Sequence, residues 1–366
     1  MLFASTAIPS LVNNGGTMED HIKNNVISFK NLYAAMYKCK RNVMWKDSVS
    51  GYLKNGLANC HRLKKQLENE SYKIDKYNLF TIHEPKRREI VSTRMKDRVF
   101  QRSLTDNYLY DEVTKSFIYD NCACQVGKGT DFARNRLKCH MQRHYRKHDI
   151  EGYVLSCDIK NYFGSTTHEI AKAEIGRLIQ NTWATEHVNS VIDSFDQGDD
   201  PDVGVGLGSQ ITQIGQLAVL NRLDHFIKED LKIKRYIRYM DDFHLIHKDK
   251  EYLKTCRKEI ENFLDTIELS VNQKKTQIYP LKQGINFLGF KFSLTDSGKV
   301  ILKIKKDNIS KERRKLKRMS RLVKDGKLTK EKVDECYLSW KAHAKKGNSY
   351  NLLKKMDEYY ENLWEV

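Results

Sequence analysis

YIRYMDDFHLIH, residues 236–247, is the stretch on which the reading of this chain turns. Aromatic and aliphatic residues on both sides mark two short strands, and Asp241-Asp242 between them marks a tight acidic turn. An Asp-Asp pair usually lies in a solvated turn. Here both flanks are apolar, so two acids stand at the ends of strands that a fold buries. Upstream, EGYVLSCDIKNYFGST (151–166) repeats the arrangement: the strand-like run Tyr153–Cys157 ends at Asp158. Acids at strand ends on a shared sheet can converge. Three carboxylates in one place repel, and they are stable as anions only when cations join them. Hard divalent ions with oxygen ligands, Mg²⁺ or Mn²⁺, suit such a set.

Working outward, residues 153–294 read in the order β–α–α–β–β–α–β, an α+β lobe with a small antiparallel sheet. Residues 167–196 read as helical, and an amphipathic helix, DKEYLKTCRKEIENFLDTI, follows the acidic hairpin. LSVNQKKTQIYP and INFLGFKFSL read as short strands. Before the lobe, residues 28 to 75 carry helical periodicity. LFTIHEPKRREIVST then reads as two strands about a Pro-Lys-Arg-Arg turn, and helices return on either side of the loop YDNCACQVGKGT. From residue 300 onward the chain reads as helical and strongly basic.

The 366 residues carry 65 Lys and Arg against 47 Asp and Glu, a formal net charge of +18. That excess points to a polyanionic partner, nucleic acid first among them. No apolar run is long enough to cross a membrane, which argues against a membrane partner. The eight cysteines include no C-x-x-C pair, the usage of a reduced compartment. Cys122, Cys124, Cys139 and His140 fit no common zinc spacing. Residues 1–17 lack a basic n-region and long apolar core, so they read as a disordered leader and the chain as cytoplasmic.

YMDD at 239–242 resembles the catalytic box of reverse transcriptases, and CDIKNYF at 157–163 resembles that family's first carboxylate motif. They stand in the family's order, about eighty residues apart, and the resemblance extends over roughly residues 30–320. It implies a right-hand polymerase with fingers over 18–150, a ferredoxin-like palm over 151–294 and a short helical thumb over 295–366. It implies two Mg²⁺ ions, replaceable by Mn²⁺, that activate a primer 3′-hydroxyl and stabilise the leaving pyrophosphate. Asp158, Asp241 and Asp242 would be the metal ligands, completed by the carbonyl of Ile159. Amides at Asn161 and Tyr162 would meet the dNTP triphosphate, and Phe163 would be the steric gate against a 2′-hydroxyl. Arg88, with Lys86 as a second cation, would clamp phosphate oxygens; Asp97 and Arg98 read as structural. Lys275, with Lys274 its rival, would be a general acid at the pyrophosphate. Tyr239 and Met240 would lie at the primer terminus, and Phe287, Leu288 and Gly289 of FLGF would form the primer grip. Lys311, Arg314, Lys315 and Arg318 would track a duplex backbone from the thumb.

DVGVGLGSQITQIGQLAVL (202–220) refines the resemblance. Most of the family carries Q-G-x-x-x-S-P here; this chain has Leu207, Gly208 and Gln213, with Thr212 in place of the serine. That form resembles the reverse transcriptases of diversity-generating retroelements. The resemblance implies copying of a structured template RNA into cDNA, errors at template adenines and a small basic accessory protein as partner. Leu207 has no hydrogen-bonding head to test the nascent pair, so fidelity is expected to fall. Phage-defence reverse transcriptases carry similar loops and stand as the alternative. A group II intron-like enzyme fits less well, as does a catalytically silent RNA-binding protein on the same scaffold.

Overall fold

The computed structural model describes residues 18–83, 88–195, 201–206 and 208–365. The chain forms two compact units, each assembled from separated stretches.

The first unit comprises residues up to Phe117, Asn161–Arg222 and Ile267–Leu269. Helices Met18–Ile27, Phe29–Cys39, Asp47–Lys54 and Gly56–Glu68 close over Leu32, Met36, Leu63 and Leu67, with helix Met95–Leu104 packed against Phe29–Cys39. The residues after Glu68 leave the helix expected to run to 75 and are extended before β1 (Asn78–Ile82). β1 pairs antiparallel with β2 (Arg88–Ser92), as the sequence predicts. The helical stretch expected over 167–196 divides into His168–Gly176 and Thr182–Asp193. Asn181 forces the division: its side chain caps the second helix by accepting from the Ala184 N–H at 2.8 Å.

The second unit comprises Ile118–Lys160, Leu223–Thr266 and Ser270–Val366. β3 (Tyr153–Asp158), β4 (Tyr236–Tyr239), β5 (Asp242–His247) and β6 (Gln277–Pro280) form one antiparallel sheet in the order β4-β5-β3-β6. That order is the ferredoxin-like one. Helix Lys250–Asp265 packs against β3, β5 and β6 through Leu253, Cys256, Ile260 and Leu264, the apolar stripe its sequence carries. Val154, Ile237 and Ile246 share a core with Leu137 and Met141 of helix Thr130–His148 and with Phe287, Phe290 and Phe292.

The last three residues of that core belong to a second sheet, β7 (Ile285–Phe287), β8 (Phe290–Leu294) and β9 (Val300–Ile304). INFLGFKFSL forms two short strands in a hairpin, and β9 corrects the expectation of helix from residue 300. Val300-Ile301-Leu302 is a β-branched and aliphatic run that pairs with β8. The charge of the region begins in earnest only in helix Lys306–Lys324. That helix packs with Lys330–Ala344, and Leu316, Met319, Val333, Tyr337 and Met356 form a core with helix Tyr350–Glu361.

Candidate active site

The acidic turn is a two-residue hairpin. Tyr239 and Asp242 are partners at the ends of β4 and β5, leaving Met240-Asp241 to turn the corner. Met240 sits at φ 57°, in the left-handed region a side chain adopts only where its surroundings impose it. The constraint is visible beneath it. Arg238 donates through Nη1 to the Met240 carbonyl at 3.1 Å and through Nε and Nη2 to Asp224 at 2.7 and 2.6 Å. Tyr236 donates to the same carboxylate at 2.6 Å. Arg238 and Asp224 are wholly buried, so this is a satisfied ion pair inside the core rather than a surface bridge. The edge of β4 is closed by Asp120 and Cys122, which exchange backbone hydrogen bonds with Arg238 at 3.1 and 3.0 Å. Asp120 is anchored in turn by Arg136 and Lys228, and by His140 at 3.0 Å.

Register carries the acids together. Asp158 at the end of β3 is the cross-strand partner of Asp242 at the start of β5. The Ile159 N–H donates to the Asp241 carbonyl at 3.2 Å. Asp158 is then held by three residues of NQKKT. The Asn272 N–H donates to its carbonyl at 2.7 Å, Thr276 Oγ1 accepts from its N–H at 3.5 Å, and Lys275 Nζ lies 2.7 Å from both carboxylate oxygens. The structure puts Lys275, not Lys274, against Asp158. Burial, then the charges of Asp241 and Asp158, push Asp242 up to about 7, against the pull of Lys305 and Lys275. The cleft beside the acids has a volume of about 880 Å³ and is lined by Asp158, Asp242, Lys275, Lys282, Lys291 and Lys305 among others.

A second layer was not legible in the sequence. His244, two residues beyond Asp242 on the same face of β5, is buried, with Nδ1 2.6 Å from Ser156 Oγ and Nε2 3.5 Å from Asp242 Oδ1. Burial pulls its imidazole down to about 3, so the ring is neutral. Phe287 meets it edge to face at 4.9 Å, which ties the FLGF hairpin to the acidic strand. In that hairpin Leu288 and Gly289 both have positive φ, 45° and 88°, the two-residue turn that matches strand twist. The signal for the deeper pair was a lone arginine inside an otherwise apolar strand, YIRYM, with Asp224 as its counter-ion.

Asn161, Tyr162 and Phe163 belong to the first unit. Asn161 is left-handed at φ 45°, Tyr162 is buried with its hydroxyl donating to the Gln216 carbonyl, and the Phe163 carbonyl accepts from Val205 N–H at 2.8 Å. In the same unit Asp97 is buried and accepts from Tyr72 Oη at 2.7 Å, while Arg98 donates to Ser92 Oγ at 2.7 Å. Gly208 lies so near β2 that a Cβ would stand 2.6 Å from the Val91 carbonyl oxygen, and its φ of 149° is open to glycine alone. Ser209 caps helix Gln210–Val219, and Thr212 Oγ1 donates to the Gly206 carbonyl at 2.8 Å, while Gln213 is exposed. Lys86, Leu207 and residues 1–17 lie outside the described residues; Arg88 opens β2, and its side chain is not described. Lys311, Arg314 and Arg318 are exposed on helix Lys306–Lys324, with Lys315 half-buried.

Asp158, Asp241 and Asp242 offer hard oxygen donors, and the charges of Asp241 and Asp158 add to burial in raising Asp242. That donor set, with its mutual repulsion, fits divalent cations. Among the described residues, no three His, Cys, Asp or Glu side chains are gathered tightly enough to hold a metal as they stand. No helix of the described residues is long and apolar enough to cross a membrane.

The family model described as reverse transcriptase (RNA-dependent DNA polymerase) matches residues 74–292. Similar solved structures include telomerase from Candida albicans in complex with a TWJ fragment of telomeric RNA. It is 14% identical, with a TM-score of 0.50 over 74% of this chain and 55% of that one. Apo telomerase from Candida tropicalis, truncated from the C-terminal domain, is 14% identical with a TM-score of 0.47, over 65% of this chain and 58% of that one. The chain thus spans little more than half of these relatives, and the likeness to the first is one of fold. A search of curated proteins returns no match. The family match covers more than half of the chain and includes Asp158, Asp241, Asp242 and Lys275, so the chain belongs to the reverse transcriptase (RNA-dependent DNA polymerase) family.

Proposed function

We propose that this chain is an RNA-directed DNA polymerase that extends a primer on a template RNA with dNTPs. The observation that carries this reading is the register that pairs Asp158 with Asp242 and joins Ile159 to Asp241 beside a lysine-lined cleft. Asp158, Asp241, Asp242 and the Ile159 carbonyl would hold Mg²⁺, which supplies Lewis-acid activation of a hydroxyl and charge for a departing pyrophosphate. Lys275 neutralises Asp158, and in this reading it would give a proton to a leaving phosphate. Lys305 and Lys291 add positive potential for a phosphate backbone in the cleft. Arg238 holds the Met240 carbonyl, and so the turn on which Asp241 rides. The test is extension of an annealed primer on an RNA template with dNTPs and Mg²⁺. We expect extension by the wild type and none by Asp241→Ala; no extension by the wild type, or extension undiminished in the variant, sinks the reading.

The finer reading rests on Leu207-Gly208-Ser209 in place of the family's usual glutamine-bearing loop. We propose error-prone copying, chiefly opposite template adenine, as in a diversity-generating retroelement with a small basic accessory protein. Phage defence is the competing role. Leu207→Gln should lower adenine misincorporation in sequenced products, and an unchanged error spectrum rules the mechanism out.

A further inference from the structure

An aromatic ladder runs along helix Phe29–Cys39 in the first unit. Phe29, Tyr33 and Tyr37 recur every four residues and so share one face. Phe29 and Tyr33 stack at 5.9 Å and 13°, and Tyr33 meets Tyr37 at 4.9 Å. Core rings of this size are normally covered, yet Tyr37 is 45% exposed and Trp45, just beyond the helix, 78%. Cations stand over both: Lys40 Nζ is 3.7 Å from the Tyr37 ring centroid and Lys46 Nζ 5.3 Å from that of Trp45. A concavity of about 450 Å³ opens between Tyr33, Tyr37, Met44 and Leu57. Residues 29–58 hold six Lys and Arg and one acid, Asp47.

We propose that this face is a binding site for single-stranded RNA, sharing no residue with the catalytic cleft, in which unpaired bases stack on Tyr37 and Trp45 while the surrounding cations meet the phosphates. Exposed rings with cations beside them are the chemistry of single-strand platforms, since every base has a π-face. A protein partner would need acidic chemistry to match the charge and would leave the ring faces without a specific role. A duplex hides its bases and would meet only the charge. The proposal rests on the polymerase reading only in naming RNA rather than DNA as the strand held.

The test is fluorescence anisotropy of the full chain with a labelled 12-nucleotide single-stranded RNA, the same sequence as single-stranded DNA, and a blunt RNA duplex. Against the wild type, Tyr37→Ala with Trp45→Ala should weaken single-stranded RNA binding about tenfold or more while leaving duplex binding nearly unchanged, and Tyr37→Phe should keep wild-type affinity. Unchanged single-strand affinity in the double variant overturns the site. So does an equal loss on the duplex, or a loss in Tyr37→Phe as large as in Tyr37→Ala. Tighter binding of DNA than RNA overturns the identity of the strand. Extension of a short annealed primer–template, run on the same proteins, should be unaffected. If the wild type fails to extend while the ladder binds, the polymerase reading falls and this site stands.

Discussion

Lys275 holds both carboxylate oxygens of Asp158 at 2.7 Å, so removing it leaves Asp158 beside Asp242 with one cation fewer. Loss of a positioned proton donor slows a reaction by about 10²–10⁴-fold. We expect that loss in single-turnover extension by Lys275→Ala and near wild-type rates in Lys274→Ala; equal losses in the two would remove the role. Asp242 gives a second expectation. Its folded-state pKa, raised to about 7, lies above that of an unfolded aspartate, so the folded chain binds this proton more tightly. From about pH 4 to about pH 7 its contribution therefore makes stability fall as pH rises, and the loss is complete above 7. In metal-free urea titrations Asp242→Asn should be flatter than wild type across that window, and parallel curves would contradict it. The acids and Lys275 could be read from the sequence because their motifs are contiguous and their chemistry unusual. Arg238 with Asp224, and His244 with Ser156 and Phe287, could not. Each is a meeting of distant residues, and a lone arginine or histidine in an apolar strand does not name its partner.

The FLGF turn shows where local signals suffice. Leu-Gly between apolar runs points to a hairpin, and Leu288 and Gly289 adopt the paired positive φ angles that this turn needs. Gly289→Ala would force a side chain into φ 88°, with its Cβ 3.2 Å from His343 Nε2. The expected cost is about 1 kcal/mol or more in a denaturation midpoint, together with slower primer extension, because Phe287 transmits the distortion to His244. An unaltered midpoint would show that the turn relaxes freely. β9 shows where local signals mislead: lysines on either side of Val300–Ile304 drew the strand into the basic helix that follows, and only pairing with β8 separates them. The break at Asn181 is the converse, a capping residue inside an otherwise helical stretch.

Charge is the property of this chain most legible from composition, and its use is the hardest to localise. The α+β class and the chain order of the elements follow from periodicity, and the ferredoxin-like palm from the family resemblance, yet each compact unit is built from stretches that separate in sequence. The first takes Asn161–Arg222 from between β3 and β4, a division no composition shift marks. The +18 excess falls almost wholly on the second unit, and helix Lys306–Lys324 concentrates it. There Leu316 and Met319 face the core they share with Val333 and Tyr337, which turns Lys311, Arg314 and Arg318 outward. If those three neutralise phosphates of a bound primer–template, each releases counterions, and the log–log salt dependence of binding steepens by about 0.9 per contact on duplex DNA. Replacing all three with Gln should therefore make the slope shallower by about 2 to 3 and weaken binding most at low salt, with no shift in thermal midpoint because none is buried. An unchanged slope would take the helix out of the duplex-binding surface. A shallower slope on single-stranded RNA but not on primer–template would assign its charge to another strand.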